Sequence, residues 1–414
     1  MSVNDKDKQI LRELGEQVAD IAALSEQKET IKKWKALNGL EPERPMVMID
    51  QIPWHEMNVN DELTLQTENE FCQEIETRLR RTLYRWKHMR ADMVVEPCIK
   101  IPLIIKGADL RLGLEPQEKR AVSDPRNSVV GHHYKDQLKT EKDLEKIQAP
   151  EISLNEEVTS RREEMANEIF EGILEVQMEG FIPNYALWDR IVEWHGAEKS
   201  IMDLIDRPEF VHELMTRVSN AYHSMLDQLE EKGLLGSTQS KIHCTGAYTD
   251  ELPAPGYDQE KPRARDLWTC GMAQIFSSVS PAMHKEFELE YAYDWYDRFG
   301  LVYYGCCEPL HQKIDIVREI PNLRKISMSP WTDEEEGARK IGGDFVYSRK
   351  PNPALLTGDW NPDLVERNLR KTLDTCYKHG CPVELILKDI STVDYEPQRL
   401  WEWEDIALKL VNEY

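Results

Sequence analysis

Short apolar runs alternate with longer amphipathic segments along most of the chain. Each run is a few residues long, as expected of a strand, and the intervening segments carry apolar residues at helical spacing. The runs begin near residues 46, 99, 173, 271, 301, 325, 345 and 383. Strands alternating with helices indicate a parallel sheet with helical crossovers, and eight of them favour a closed barrel over an open doubly wound sheet. The predicted fold class is α/β, a (β/α)8 TIM barrel.

Two segments depart from this alternation. Residues 5–38 are rich in Glu, Lys, Leu, Ala and Gln and are followed by Gly39, which predicts helices that end at a glycine. Residues 107–155 are polar, with Gly, Pro and charged runs. We therefore predict a helical N-terminal extension over residues 1–45 and a barrel over 46–414, with a surface insertion at about 107–155.

Composition narrows the class of protein. The 414 residues carry a formal net charge of -24, which argues against nucleic acid as a partner because phosphate binding requires clustered Lys and Arg. No apolar run is long enough for a membrane span, and the first residues lack the apolar segment of a signal peptide. Eight cysteines in so long a chain are not a disulfide framework. We expect a cytoplasmic protein that binds neither nucleic acid nor a membrane.

Polar and metal-binding residue types follow the predicted strands. In a barrel of parallel strands the carboxyl ends converge on one mouth, where active sites are built. The residues at these ends are Asp50 and Trp54, Gln274, Cys306 and Cys307, Trp331 and Asp333, Lys350 and Asn352, and Lys388 and Asp389. Their enrichment at one end of the strands predicts a functional site there.

Two cysteines and a histidine after the strand at 301 suggest a metal site. Thiolates and imidazole are ligands that zinc prefers, although this spacing matches no common structural zinc pattern. The candidate ligands are Cys306, Cys307 and His311, with a further ligand from Gln274, Glu290 or Asp389. The alternative is a buried thiol pair beside a helix start, with Glu290 on a solvated helical face.

A charged pair and a loop histidine are candidates for acid–base chemistry. Lys388 and Asp389 follow the apolar run 383–387 and would face the mouth, able to hold a substrate oxygen, transfer a proton or bind a metal. His243 stands in a loop before Pro253, where it could contact substrate or shuttle a proton. The alternatives are an ion pair that closes the barrel rim and a histidine on the plain surface.

Four segments carry a resemblance to a known superfamily. They are SPAMHKEF at 280–287, YYGCCEPL at 303–310, KPNP at 350–353 and KDIST at 388–392. Together they resemble the uroporphyrinogen decarboxylase superfamily, and within it the corrinoid-dependent methyltransferases, especially the anaerobic demethylases of phenyl methyl ethers. The resemblance covers about residues 165–414 well and the first 150 weakly.

The chain departs from its relatives at two motifs. It lacks the amino-terminal Arg-Gln-Ala-Gly-Arg motif with which uroporphyrinogen decarboxylases bind substrate carboxylates, so porphyrinogen decarboxylation is not expected. Methylcobamide:coenzyme M methyltransferases of the superfamily bind zinc through His-x-Cys at one strand end and a later Cys. The matching positions, Tyr304, Cys306 and 388–391, keep one thiol. Zinc remains the implied cofactor, with a different ligand set or none; the candidates by position are Cys306, Cys307, His311 and Glu290.

The resemblance implies a barrel that docks a separate corrinoid protein over its mouth and holds a small methylated substrate there. The leaving oxygen then needs an electrophile, either zinc or a protonated side chain. The candidate catalytic residues are Lys388, Asp389 and His243. The candidate substrate-binding residues are Trp54, Tyr248, Gln274, Trp331 and Asn352, and the aromatic ones, with Trp268, could wall an aryl ring.

Three functions are therefore weighed. The first is methyl transfer from a small compound, an aryl methyl ether above all, to the cobalt of a corrinoid protein. The second is transfer from a methylated corrinoid to a thiol. The third is a non-catalytic barrel that binds a tetrapyrrole or a corrinoid protein. The oligomeric state stays open, with a homodimer as one option.

Overall fold

The computed structural model describes residues 3–121, 127, 131–236 and 239–414. The described helices are α1 (Asp5–Ala22), α2 (Ser25–Asn38), α3 (Glu70–His88), α4 (Glu156–Phe170), α5 (Leu187–His195), α6 (Ala197–Asp206), α7 (Pro208–Glu231), α8 (Pro281–His284), α9 (Glu290–Arg298), α10 (Ile314–Val317), α11 (Glu334–Ile341), α12 (Pro362–Lys378) and α13 (Gln398–Val411). The strands are β1 (Met46–Ile49), β2 (Cys98–Pro102), β3 (Ile105–Lys106), β4 (Glu118–Ala121), β5 (Gly131–Tyr134), β6 (Ser153–Leu154), β7 (Glu175–Glu179), β8 (Lys241–Ile242), β9 (Thr245–Gly246), β10 (Trp268–Gly271), β11 (Leu301–Tyr304), β12 (Leu323–Met328), β13 (Val346–Arg349) and β14 (Val383–Leu387).

Strands form at all eight predicted runs, and they are parallel. Six of them make one sheet in the order β1-β14-β13-β12-β11-β10, while β2 and β7 form a separate parallel pair. Among the described residues, no ladder joins β1 to β2 or β7 to β10; isolated bridges link Tyr185 to Gly271 and Phe181 to Leu235. The α/β class is confirmed, whereas closure of the wall into a TIM barrel stays a prediction.

The strands of the large sheet are buried on both faces. In β1, Val47 and Ile49 belong to the main apolar core, while Met46 and Met48 face a second cluster that contains Trp34 of α2. Continuous apolar runs are typical of parallel strands because helices cover one face and other groups fill the opposite one. This double burial explains why β1 and β11 read as hydrophobic stretches, whereas β12 and β14 bury the charged residues Lys325 and Glu384 as an ion pair.

The first helices serve two different parts of the fold. Helix α1 packs with α3, α4 and the β2–β7 pair in a separate apolar cluster, whereas Trp34 of α2 reaches the inner face of the large sheet. Helix α2 ends at Gly39, as predicted, but the left-handed residue is Leu40, with φ 65°. The N-terminal segment therefore contributes directly to the interior of the sheet.

The polar segment 107–155 combines surface strands with side chains that belong to the main apolar core. It contains the antiparallel pair β4–β5, and its last strand, β6, pairs with β3 just before the segment; residues 122–126 and 128–130 lie outside the described part. However, several of its apolar side chains are buried in the main core: Leu112, Leu114, Leu138, Leu144, Ile147 and Ile152. None of the described helices has the length and apolar content to cross a lipid bilayer.

Candidate active site

Three titratable side chains from distant parts of the chain meet at one point. Cys306 follows β11, Lys388 follows β14, and His243 stands in the tight turn of the β8–β9 hairpin. Lys388 Nζ lies 3.0 Å from Cys306 Sγ and 3.4 Å from His243 Nε2, and His243 Nε2 lies 3.3 Å from Cys306 Sγ. We call Cys306, Lys388 and His243 the mouth cluster.

Unusual backbone conformations place the members of this cluster. Gly305 has φ +95°, and a Cβ there would lie 2.5 Å from Leu310 Cδ1 and 3.0 Å from Ser327 Cβ. His243 and Asp389 also have positive φ, 50° and 57°. Left-handed conformations of residues other than glycine cost free energy and concentrate at functional sites.

A second thiol links the mouth cluster to solvent. Cys307 Sγ lies 3.5 Å from Cys306 Sγ and 3.3 Å from Asp389 Oδ2, so its single S–H is shared between these two acceptors. Asp389 in turn lies 3.3 Å from Lys388 Nζ, and its side chain is 45% exposed. The charges therefore run from a buried thiolate to a carboxylate at the surface.

The charge state of the cluster follows from these contacts. The hydrogen bond from Cys307 holds the pKa of Cys306 far below its usual range; burial opposes this, and His243 and the Lys388 ammonium assist it. Burial lowers the pKa of His243, but the neighbouring sulfurs of Cys244 and Cys306 outweigh it and raise the value to about 9. For Lys388 the pKa is likewise raised, since the sulfur charges outweigh burial. The cluster is thus a thiolate with two cations.

A buried polar layer holds Cys306 in place. Glu308 accepts hydrogen bonds from the backbone N–H groups of Cys306 at 2.9 Å and Ala273 at 3.2 Å. Ser327 Oγ donates to the carbonyl oxygen of Cys306 at 2.7 Å and accepts from Lys350 Nζ at 2.6 Å. Every one of these side chains is buried, so the thiolate has a fixed position.

A second buried ion pair anchors the hairpin that carries His243. Lys325 of β12 lies 2.8 Å from Glu384 of β14, and both side chains are fully buried. Thr245 Oγ1 of the hairpin donates to Glu384 Oε2 at 2.6 Å, and Lys325 Nζ donates to the Gly246 carbonyl oxygen at 3.2 Å. The hairpin is therefore bonded to the inner face of the sheet.

A solved methyltransferase has a similar fold. It comes from Methanosarcina mazei and matches with a TM-score of 0.50 at 11% sequence identity, covering 93% of this chain and 98% of its own. No family model matches the sequence, and no curated protein matches it. At this identity the likeness shows a shared fold.

Of the four predicted zinc ligands, Cys306 and Cys307 lie side by side, with their sulfurs 3.5 Å apart. Glu290 is exposed at the start of α9, and His311 is partly buried with no hydrogen-bond partner for Nδ1 among the described residues. Within that part of the chain, no group of three or more His, Cys, Asp or Glu side chains is arranged to hold a metal ion. The histidine beside Cys306 is His243, and the positive charge that a metal ion would give the Cys306 thiolate is already supplied by Lys388. The donor set therefore does not fit zinc as it stands.

The predicted substrate-binding residues lie in different surroundings. Gln274 donates to Asp189 at 2.9 Å, and Asn352 accepts from the Ala354 N–H and so begins a helical turn. The three aromatic candidates also have different environments. Trp331 is 71% exposed, the Trp54 ring lies under the Arg81 guanidinium, and Tyr248 lines a cavity with Trp34.

One titratable group near the site was missed. Asp189, in the first turn of α5, has its pKa raised to about 6, mainly by burial, with the charges of Glu308 and Cys306 adding to it against the hydrogen bond from Gln274. It stands inside an amphipathic helix, and nothing in the local pattern distinguishes it from a solvated carboxylate.

Proposed function

We propose that the protein is a methyltransferase that moves a methyl group from a small methylated compound, most suitably an aryl methyl ether, to the cobalt of a partner corrinoid protein. The mouth cluster carries this proposal. A buried thiolate and a lysine at the ends of two parallel strands, with a histidine from the β8–β9 hairpin, offer a proton and fixed positive charge to a leaving oxygen. The shared methyltransferase fold and the sequence resemblance support it.

The protein's catalytic groups are needed at the departing oxygen more than at the methyl carbon. The corrinoid would supply the nucleophile that takes the methyl group. As the C–O bond breaks, its electron pair stays on oxygen and leaves an aryloxide. A phenol has a pKa of about 10, so the aryloxide is a modest leaving group that protonation improves.

His243 is suited to be the proton donor. Its pKa of about 9 lies close to that of a phenol, which makes proton transfer to the departing oxygen nearly balanced. Lys388 holds its proton more tightly, because its pKa is raised from an already high value. We therefore assign His243 as general acid and Lys388 as a fixed positive charge beside the developing aryloxide.

Cys306 and Asp389 keep these cations in position. The thiolate of Cys306 contacts both Lys388 and His243, so neither cation is left unpaired in a buried place. Asp389 contacts Lys388 from the exposed side. No step is assigned to zinc, because within the described part of the chain no three His, Cys, Asp or Glu side chains are arranged to hold a metal ion.

The test is methyl transfer to free cobalt(I) corrinoid. Purified protein is incubated with reduced cobalamin and a panel of aryl methyl ethers, and methyl-cobalt absorbance and the released phenol are both followed. We expect the two products in equal amounts, and about 10²–10⁴-fold slower formation by His243→Asn, the usual contribution of a general acid. His379→Asn, which alters a histidine paired with Glu335 on the surface, is the matched control.

Two outcomes would favour the other functions. Methylation of a small alkyl thiol by methylcobalamin, with no demethylation of ethers, would favour transfer from a corrinoid to a thiol. Binding of a corrinoid protein without turnover in either direction would favour a non-catalytic role.

A further inference from the structure

A cavity lies where the wall of parallel strands is interrupted. Its volume is about 240 Å³, and it is lined by residues of β1, β2, α3 and the β8–β9 hairpin. Strands β1 and β2 share no ladder among the described residues, so this space stands between them. We call it the seam cavity.

Two arginines of α3 line the seam cavity without a carboxylate partner. Arg78 and Arg85 are seven residues apart and so share one face of the helix. Arg78 Nη1 donates to the Lys100 carbonyl oxygen at 2.5 Å and Arg85 Nη2 to the Ile49 carbonyl oxygen at 2.9 Å. Neither guanidinium forms an ion pair with any residue in the described part of the chain, although each has five N–H donors.

Of the two arginines, Arg85 has the larger unmet requirement for a hydrogen-bond acceptor. Its Nε is buried and has no acceptor among the described residues. Burial lowers the pKa of both guanidinium groups, against the favourable charges of nearby carboxylates. A desolvated guanidinium with an unmet donor is costly, and an anion with two oxygens would satisfy it.

The other charges that line the cavity are already compensated. Lys100 lies 3.0 Å from Glu96, and Lys241 is paired with Asp50. Asp92 is held by both terminal nitrogens of Arg44, at 2.6 and 3.0 Å. The positive charge left over in the cavity therefore belongs to Arg78 and Arg85.

The remaining wall is largely apolar. Trp34, Met48, Leu79 and Ile99 line the cavity beside the arginines. A bare inorganic anion would leave these surfaces uncovered, whereas a carboxylate on a small apolar body would contact both the guanidinium groups and the apolar wall.

We propose that the seam cavity binds a small organic monocarboxylate, with its carboxylate between Arg78 and Arg85 and its apolar body against Trp34 and Met48. Hairpin residues Ser240, Lys241, Thr245 and Gly246 also line the cavity, and His243 lies between them in sequence. The cavity thus shares part of its lining with the segment that holds the proposed general acid. This site is independent of the direction of methyl transfer.

Calorimetric titration of the full chain with benzoate tests the site. Benzamide is the neutral analogue of the same shape, and inorganic phosphate is the anion without an apolar body. We expect benzoate to bind at least about tenfold more tightly than either, the size of one charge-assisted hydrogen bond. Arg85→Gln and Arg78→Gln should each weaken benzoate by a similar factor, while Arg161→Gln, at an exposed position on α4, should not.

Equal affinity for benzoate and benzamide in the unaltered protein would overturn the proposal, whether or not the variants fold. Equal affinity for phosphate would overturn the organic part of it. Undiminished benzoate binding by folded Arg85→Gln and Arg78→Gln would also overturn it.

Discussion

Lys388 Nζ lies 3.0 Å from Cys306 Sγ, although 82 residues separate the two in the sequence. Lys388 follows β14 and Cys306 follows β11, and two further strands stand between these in the sheet. In a flat sheet three strand spacings would place the two backbones about 14 Å apart. The long Lys388 side chain and the curvature of the sheet together bring its ammonium to the Cys306 sulfur.

The ion pair predicts how Cys306 responds to loss of its cation. In Lys388→Met we expect the pKa of the Cys306 thiol to rise by about 1–3 units, since an opposite charge within a few ångströms shifts a pKa by that amount. The measurement is the alkylation rate of Cys306 against pH, resolved from Cys307 by peptide fragmentation. Lys142→Met, at an exposed position, should leave the profile unchanged. An unaltered profile in Lys388→Met would contradict the ion pair.

The pKa of His243 predicts a pH limit for methyl transfer. The acid form is the imidazolium, which predominates below about pH 9 and is lost above it. The rate at low substrate concentration should therefore fall about tenfold per pH unit above that value. In His243→Asn this limb should disappear from a much slower reaction. A rate that stays level well above pH 9 would show that His243 is not the acid.

The turn at Gly305 predicts that a side chain added there lowers the free energy of unfolding. Gly305→Ala must accept a positive φ and a clash with Leu310 and Ser327, so unfolding by urea should show a loss of about 1–3 kcal/mol or more. Gly342→Ala is the matched control, because its φ is also positive but nothing lies within 4 Å of the added Cβ. Gly342→Ala should lose only the free energy that the unfavourable backbone conformation costs, with no contribution from steric contacts. Equal losses in the two variants would show that the contacts with Leu310 and Ser327 do not matter.

The position of Lys388 also predicts how metal binding would change. Cys306 Sγ lies 3.5 Å from Cys307 Sγ and 3.3 Å from His243 Nε2, near the spacing of about 3.5 Å between ligands of tetrahedral zinc. We expect the unaltered protein to hold zinc weakly and Lys388→Ala to bind it more tightly, measured by elemental analysis after dialysis against zinc. Adding Cys306→Ser should abolish the gain. Stoichiometric zinc in the unaltered protein would contradict this expectation.

The strands could be predicted because local composition determines them. Val383–Leu387 carries four apolar residues and one charged residue, Glu384, and β14 forms there with every residue buried. The polar residues that follow such a run must lie at the end of the strand, which is why Lys388 was singled out. Its contact with Cys306 depends on curvature of the sheet, which no local pattern records.

The sequence does not record which way the candidate zinc ligands face. Glu290 was chosen by position, but a π-helical turn at Lys285–Leu289 changes the phase of the helix. As a result Glu288 is the buried carboxylate, accepting from the Tyr304 hydroxyl at 2.9 Å, and Glu290 is exposed. His311 is close to Cys306 in sequence, yet the nearer histidine comes from a hairpin 63 residues earlier.

The fully buried pair of Lys325 and Glu384 bears on any attempt to make this protein more robust. Substituting the pair with well-packed apolar side chains should leave the melting temperature unchanged or raise it. The same change would remove the bonds that Thr245 and Gly246 make to the pair, and so loosen the hairpin that carries the proposed general acid, His243. A gain in melting temperature from this substitution should therefore be accompanied by slower methyl transfer.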